Sequence, residues 1–310
     1  MSVLLVHLPE IFGSFVCQTP AAAVASESLH WLSVIGPALF AACIAIGVTV
    51  VIEQLGGQKG GLIGTLPSTI VPAVWGFMNR SPDLESFRAA AFSAPFGMWL
   101  NLVFLYSWRF LPKTLPASWG IYRLLMIVVC SLGIWLVFAF ILVSSLHTFS
   151  VSTKTLLILS LGCTAVMALM GIVACRGMVV APKGKKKVGP VILISRGVLA
   201  GGSIGLAVWL AGVGGPVAAG MASVFPAIYL TTMVSLFVSQ GENVQAGAVG
   251  PMMLGSTSIA VFAIVSAFAL PTWGALWGAL VAWIVSVTFT SVPAWIWLNR
   301  PRHIGQPDAP

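Results

Sequence analysis

Glu242 is the only charged side chain between Gly197 and Asn299, set in the run Ser239-Gln240-Gly241-Glu242-Asn243-Val244-Gln245. A carboxylate in poorly hydrated surroundings has its charged form disfavoured, so it can take up a proton or trade one for a cation. Glu53, in Glu53-Gln54-Leu55-Gly56-Gly57, closes another apolar run and carries the same chemistry. These two are the candidate coupling groups. The competing reading of each is a solvated carboxylate at a helix end.

Uncharged polar groups gather around two prolines. Thr65, Ser68 and Thr69 flank Pro67, while Ser223, Thr231, Thr232 and Ser235 flank Pro226. Proline inside an apolar helix removes a backbone hydrogen bond and clashes with the preceding turn, and neighbouring glycines weaken the helix further. In hydrocarbon the freed groups must be satisfied by protein, water or a ligand. Thr65, Pro67, Ser68, Thr69, Asn101, Pro226, Thr231 and Thr232 are therefore the candidate substrate-binding residues. Gln240 and Gln245 are weaker polar candidates.

Enzyme chemistry finds less support. His7, His30, His147 and His303 all lie near ends or loops, so no Ser-His pair forms at membrane depth. Asp83 and Asp308 fall in a loop and the tail, and neither HExxH nor GxxxxGK[ST] occurs. Cys17, Cys43, Cys130, Cys163 and Cys175 show no CxxC spacing. No cofactor is expected, and no metal is assigned.

The elements that must hold these residues follow from composition. Of 310 residues, 58% are hydrophobic and only 7% charged, whereas a soluble chain carries roughly a quarter charged residues. So few ionic groups cannot cover a soluble surface of this size. The net charge of +8 comes from residues scattered between apolar runs, with no aromatic-basic face, so nucleic acid is not an expected partner. An all-α integral membrane protein remains, with membrane lipids and a small solute or ion as partners and oligomers compatible with its apolar surface.

A bilayer core takes about 20 apolar residues per helix, and about nine such stretches tile the chain. They cover 32–52, 60–78, 89–108, 124–146, 155–175, 191–213, 216–238, 246–270 and 273–298. Lys183, Lys185, Lys186 and Lys187 form a basic loop that reads as cytoplasmic, with an anionic-lipid contact as its second reading. Alternation from there puts the N-terminus outside and the C-terminus inside. Gly274 and Gly278, at GxxxG spacing in the last span, read as a helix-packing pair.

The chain also matches itself. Gly61-Leu62-Ile63-Gly64-Thr65-Leu66-Pro67 overlays Gly220-Met221-Ala222-Ser223-Val224-Phe225-Pro226. Further on, Ala91-Phe92-Ser93-Ala94-Pro95 resembles Ala248-Val249-Gly250-Pro251 with one gap. The first motif opens the second span and its partner the seventh. Five crossings separate them, so the two halves would lie upside down relative to each other. Inverted-topology repeats belong chiefly to secondary transporters.

The expected organisation is an N-terminal segment at 1–30, a first repeat at 31–180, a basic cytoplasmic loop at 181–190, a second repeat at 191–299 and a cytoplasmic tail at 300–310. The first segment lacks a basic start and a long apolar core, so it reads as unprocessed rather than as a signal peptide. The expected function is a secondary transporter or facilitator of a small polar solute or ion, with its site between Pro-broken spans 2 and 7. A membrane-embedded scaffold or assembly partner is the first alternative. A membrane lipid-modifying enzyme using Glu53 or Glu242 is the second.

Overall fold

The computed structural model describes residues 31–47, 66–176, 189–213 and 215–300. The expectations for the segment 1–30, Glu53, Thr65, the lysine run 183–187 and residues 301–310 lie outside the described residues. The described chain is helical, with no strand. Six helical stretches are long and apolar enough to cross a membrane, the mark of a multi-pass membrane protein.

In chain order the helices are α1 (Trp31–Gly47), α2 (Ile70–Arg80), α3 (Leu84–Thr114), α4 (Ile121–Thr148), α5 (Thr153–Cys175) and α6 (Pro190–Gly212). There follow α7 (Pro216–Ala222), α8 (Ala227–Gln240), α9 (Glu242–Gly255), α10 (Thr257–Ser286) and α11 (Val292–Leu298). A π-helical turn, Val287–Ser291, joins the last two.

Asp83 starts α3: its Oδ1 accepts from the Ser86 N–H at 2.7 Å, satisfying one of the donors a helix start leaves open. The Ser86 N–H, with the Ser86 hydroxyl second, holds the Asp83 carboxyl below its ordinary 3.8. From there α3 runs through the middle of the molecule, packed against α4, α5, α7, α9 and α10. In its most apolar stretch 83% is buried, against 22% in α4. Helix α4 buries a single stripe, Leu124, Ile127, Ser131, Trp135 and Ala139, and turns Leu125, Val129, Leu136 and Phe140 outward. In α5 the buried stripe is Leu156, Ser160, Thr164, Met167, Gly171 and Cys175. These three- and four-residue steps are the helical repeat, and small or polar residues mark the inward side.

Pro95 lies inside α3, where it removes one backbone hydrogen bond. Helix α5 supports that region. The Ser160 hydroxyl donates to the Phe92 carbonyl, and the Cys163 thiol lies 3.5 Å from the Pro95 carbonyl. Helix α7 crosses α3 at Gly220, where a Cβ would run into the Ala90 carbonyl oxygen. Only glycine lets the two backbones approach so closely.

The long helical run at the C-terminus corrects one expectation. Gly274 adopts φ 77° and ψ 171°, so it is a turn residue rather than half of a packing pair. Glycine accepts this backbone without the steric cost a Cβ would bring. The chain folds back there, and Gly278 packs directly on Ala269 and Leu270 of the preceding arm. This fold-back falls at the second residue of the expected stretch 273–298, close to its boundary with 246–270.

Candidate functional site

The two proline motifs share one backbone shape. The Ser68 N–H donates to the Leu66 carbonyl at 2.7 Å, and the Ala227 N–H donates to the Phe225 carbonyl at 2.7 Å. Each is a three-residue turn centred on a proline, which fixes φ and has no N–H of its own to satisfy. Both prolines are buried. Pro67 leads into α2 and Pro226 into α8, so neither sits within a helix. At the second turn the crossing that starts at Pro216 divides into α7 and α8, leaving Ser223 to Pro226 between them.

Asn101 spans this break. Its side chain is 1% exposed, and its Nδ2 donates to the Val224 carbonyl at 2.7 Å. Its Oδ1 accepts from the Trp135 indole N–H at 2.8 Å. The Trp135 ring meets Phe225 edge-on, with centroids 5.4 Å apart and planes at 81°. One amide thus ties α3, α4 and the α7–α8 break together, supplying a partner where the interrupted helix needs one.

Beside this amide lies a cavity of about 40 Å³. Its polar lining comes from Thr69, Asn101, Ser203, Ser223 and Tyr229, and apolar residues of α2, α3, α6, α8 and α10 complete the wall. A water molecule needs about 10–15 Å³ by this measure, so the space holds about three. Thr69 reaches it from the first proline turn, and Ser223, Val224, Phe225 and Ala227 reach it from the second.

The other expected site residues are placed differently. Ser68 is half-buried and donates to the Leu66 carbonyl at 3.4 Å. Thr231 and Thr232 are held by Arg196, whose Nε donates to the Thr231 hydroxyl at 2.8 Å and whose Nη2 donates to the Thr232 hydroxyl at 2.7 Å. Arg196 is 3% exposed and lies within α6. An arginine inside an apolar run of spanning length is itself a flag for a working residue, and that signal was present in the sequence. Trp135, Ser203 and Tyr229 carried no comparable mark: Trp135 and Tyr229 find their partners, Asn101 and Ser256, far along the chain, and the Ser203 hydroxyl bonds back to the Ala200 carbonyl of its own helix.

Glu242 opens α9 in an ion pair with Arg123 of α4, and the same guanidinium donates to the Pro112 carbonyl of α3. Gln245 is fully buried, with Nε2 3.2 Å from the Met233 sulfur. The Gln240 side chain lies outside the described residues. No group of three or more His, Cys, Asp or Glu that could hold a metal occurs among the described residues.

No family model matches this chain, and no curated protein or solved structure shows significant similarity to it.

Proposed function

We propose that this chain is a secondary transporter or facilitator for a small polar solute, with its site at the cavity between the two proline turns. The observation that carries the reading is the Asn101 amide bound to the Val224 carbonyl inside a broken helix, with polar space beside it. A sealed structural helix has no need of such a break. An interrupted helix deep in a membrane protein is tolerated where the irregular backbone is enclosed by protein or lines a cavity. We further propose that the membrane helices comprise two related halves. Supporting this, each proline turn leads into a helix of 11 or 14 residues, a sharp turn, and a helix with an internal proline, Pro95 or Pro251. Membrane lipids are the proposed neighbours of the outward face of α4.

Coupling is not assigned to Glu242, because its ion pair with Arg123 favours a structural role at that end of the bundle. Reconstitution into liposomes tests the transport reading with a panel of ions, sugars, amino acids and small amides. Flux above protein-free vesicles, lowered by Pro226→Ala, is expected. The reading fails if no solute in the panel moves faster than through protein-free vesicles.

A further inference from the structure

We infer that the cavity takes a small uncharged solute that brings its own hydrogen-bond donors, of the urea or small-amide class, and discriminates against both anions and metal cations. The inference rests on the transport reading above.

It follows from where the protons on the cavity wall already point. The Ser203 hydroxyl donates to the Ala200 carbonyl at 2.9 Å, and the Ser223 hydroxyl donates to the Gly220 carbonyl at 2.7 Å. Ser256 donates its one hydroxyl proton to the Met252 carbonyl at 2.7 Å. The Tyr229 hydroxyl, 2.7 Å from the same Ser256 oxygen, must therefore be the donor of that pair. Asn101 directs its amide protons to the Val224 carbonyl and, at 3.5 Å, to the Met98 sulfur. Four of the five polar lining residues thus have their donors engaged within the protein and retain acceptor lone pairs. An anion entering this space would find acceptors where it needs donors.

A positive ion would meet suitable oxygens but no opposing charge. None of the described lining residues is charged, and most of the wall is apolar. Removing a full charge from water without a counter-charge or a complete ligand shell is far costlier than burying a neutral polar molecule. A neutral donor avoids both penalties. The volume of about 40 Å³, room for about three waters, sets the size of the guest. Urea, with four heavy atoms and four N–H bonds, matches that scale.

The test uses the full-length chain in liposomes, with urea and acetamide flux followed by stopped-flow light scattering and chloride and sodium flux by ion-sensitive dyes. Urea or acetamide is expected to exceed protein-free vesicles, with chloride and sodium at the protein-free rate. Ser203→Ala combined with Ser223→Ala removes two acceptors at nearly constant volume and should lower amide flux about tenfold, the equivalent of one or two lost hydrogen bonds. A thermal melt of the same preparation checks that the double variant is folded, and a single Ser203→Ala variant serves if it is not. Chloride or sodium flux above the protein-free rate overturns the inference but leaves transport standing. Amide flux unaffected by the serine changes in folded protein removes it from this cavity. Absence of flux for every solute in the wider panel overturns the transport reading itself.

Discussion

Replacing Asn101 with leucine should reveal how much of the structure hangs on one amide. Leucine has the same number and branching of side-chain heavy atoms as asparagine, so Asn101→Leu removes hydrogen bonding while keeping the side-chain shape, with somewhat bulkier methyl groups. Two groups lose their partners, the Val224 carbonyl and the Trp135 indole N–H. A buried group left unsatisfied costs about 1–3 kcal/mol in a water-soluble protein. Within a bilayer the unfolded reference also finds partners, and measured interhelical hydrogen bonds average about 0.6 kcal/mol with a maximum of about 1.7. Two of them give an expected loss of about 1–3.5 kcal/mol. Trp135→Phe removes the donor together with three ring atoms of a buried side chain, so it should cost about half of that hydrogen-bond loss plus the cost of the space it leaves. The two changes share one bond, so their effects should not add: once Asn101 is leucine, losing the indole N–H removes an orphan instead of a partner. Unfolding in bicelles by steric trapping measures all four corners of this cycle. A loss below about 0.3 kcal/mol for Asn101→Leu, or strictly additive effects, would refute the view of this amide as the closure of the helix break.

Further outcomes follow from the same geometry. Gly220→Ala forces a methyl group against the Ala90 carbonyl and should destabilise by about 1–3 kcal/mol, whereas Gly202→Ala meets nothing within 4 Å and should be neutral or slightly stabilising; thermal melts in detergent separate the two. Thr231→Val with Thr232→Val deprives the Arg196 guanidinium of two acceptors and should cost about 2–4 kcal/mol by equilibrium unfolding, and Arg196→Lys, which cannot fork across both hydroxyls, should lose a substantial part of that. The Glu242 side chain is 38% exposed, so Glu242→Gln should cost no more than about 1 kcal/mol and should flatten the salt dependence of unfolding. Asp83 has a lowered folded-state pKa, so its stabilising contribution is complete above the ordinary value of 3.8 and is lost as pH falls through the lower folded value; Asp83→Ala should remove that part of the acid transition in a pH-resolved melt.

Much of the helix layout was legible because long apolar runs carry their own length standard. The expected stretches 124–146, 155–175 and 191–213 fall within or within a residue of α4, α5 and α6. The break at Pro226 was legible too, since proline cannot take part in a helical ladder at that point. The inward faces were harder to find, because residues facing lipid are as apolar as those facing protein. Ser160, Thr164 and Gly171 on α5 mark the buried stripe by being small or polar, a pattern that overall hydrophobicity does not show. The site was only partly legible. Asn101 stood out as an amide in the middle of an apolar run, but its partners, Val224 and Trp135, are 123 and 34 residues away in the chain. Thr231 and Thr232 looked like lining groups because nothing in the sequence ties them to Arg196.

The enclosure of α3 bears on how the molecule is made. Its Asn101, Ser93 and Ser107 end up buried, yet α5, α7, α9 and α10, which wrap it, are all synthesised after it. The α7–α8 break that receives the Asn101 amide emerges from the ribosome more than a hundred residues later. Through that interval α3 must wait, in lipid or in the grip of the insertion machinery: Ser93 and Ser107 can bond back to the Ala89 and Phe104 carbonyls of their own helix, but the Asn101 amide is not yet paired to its final partner. Truncating translation before Pro216 should therefore leave α3 crosslinkable to the insertase, and extending the nascent chain past Gln240 should release it.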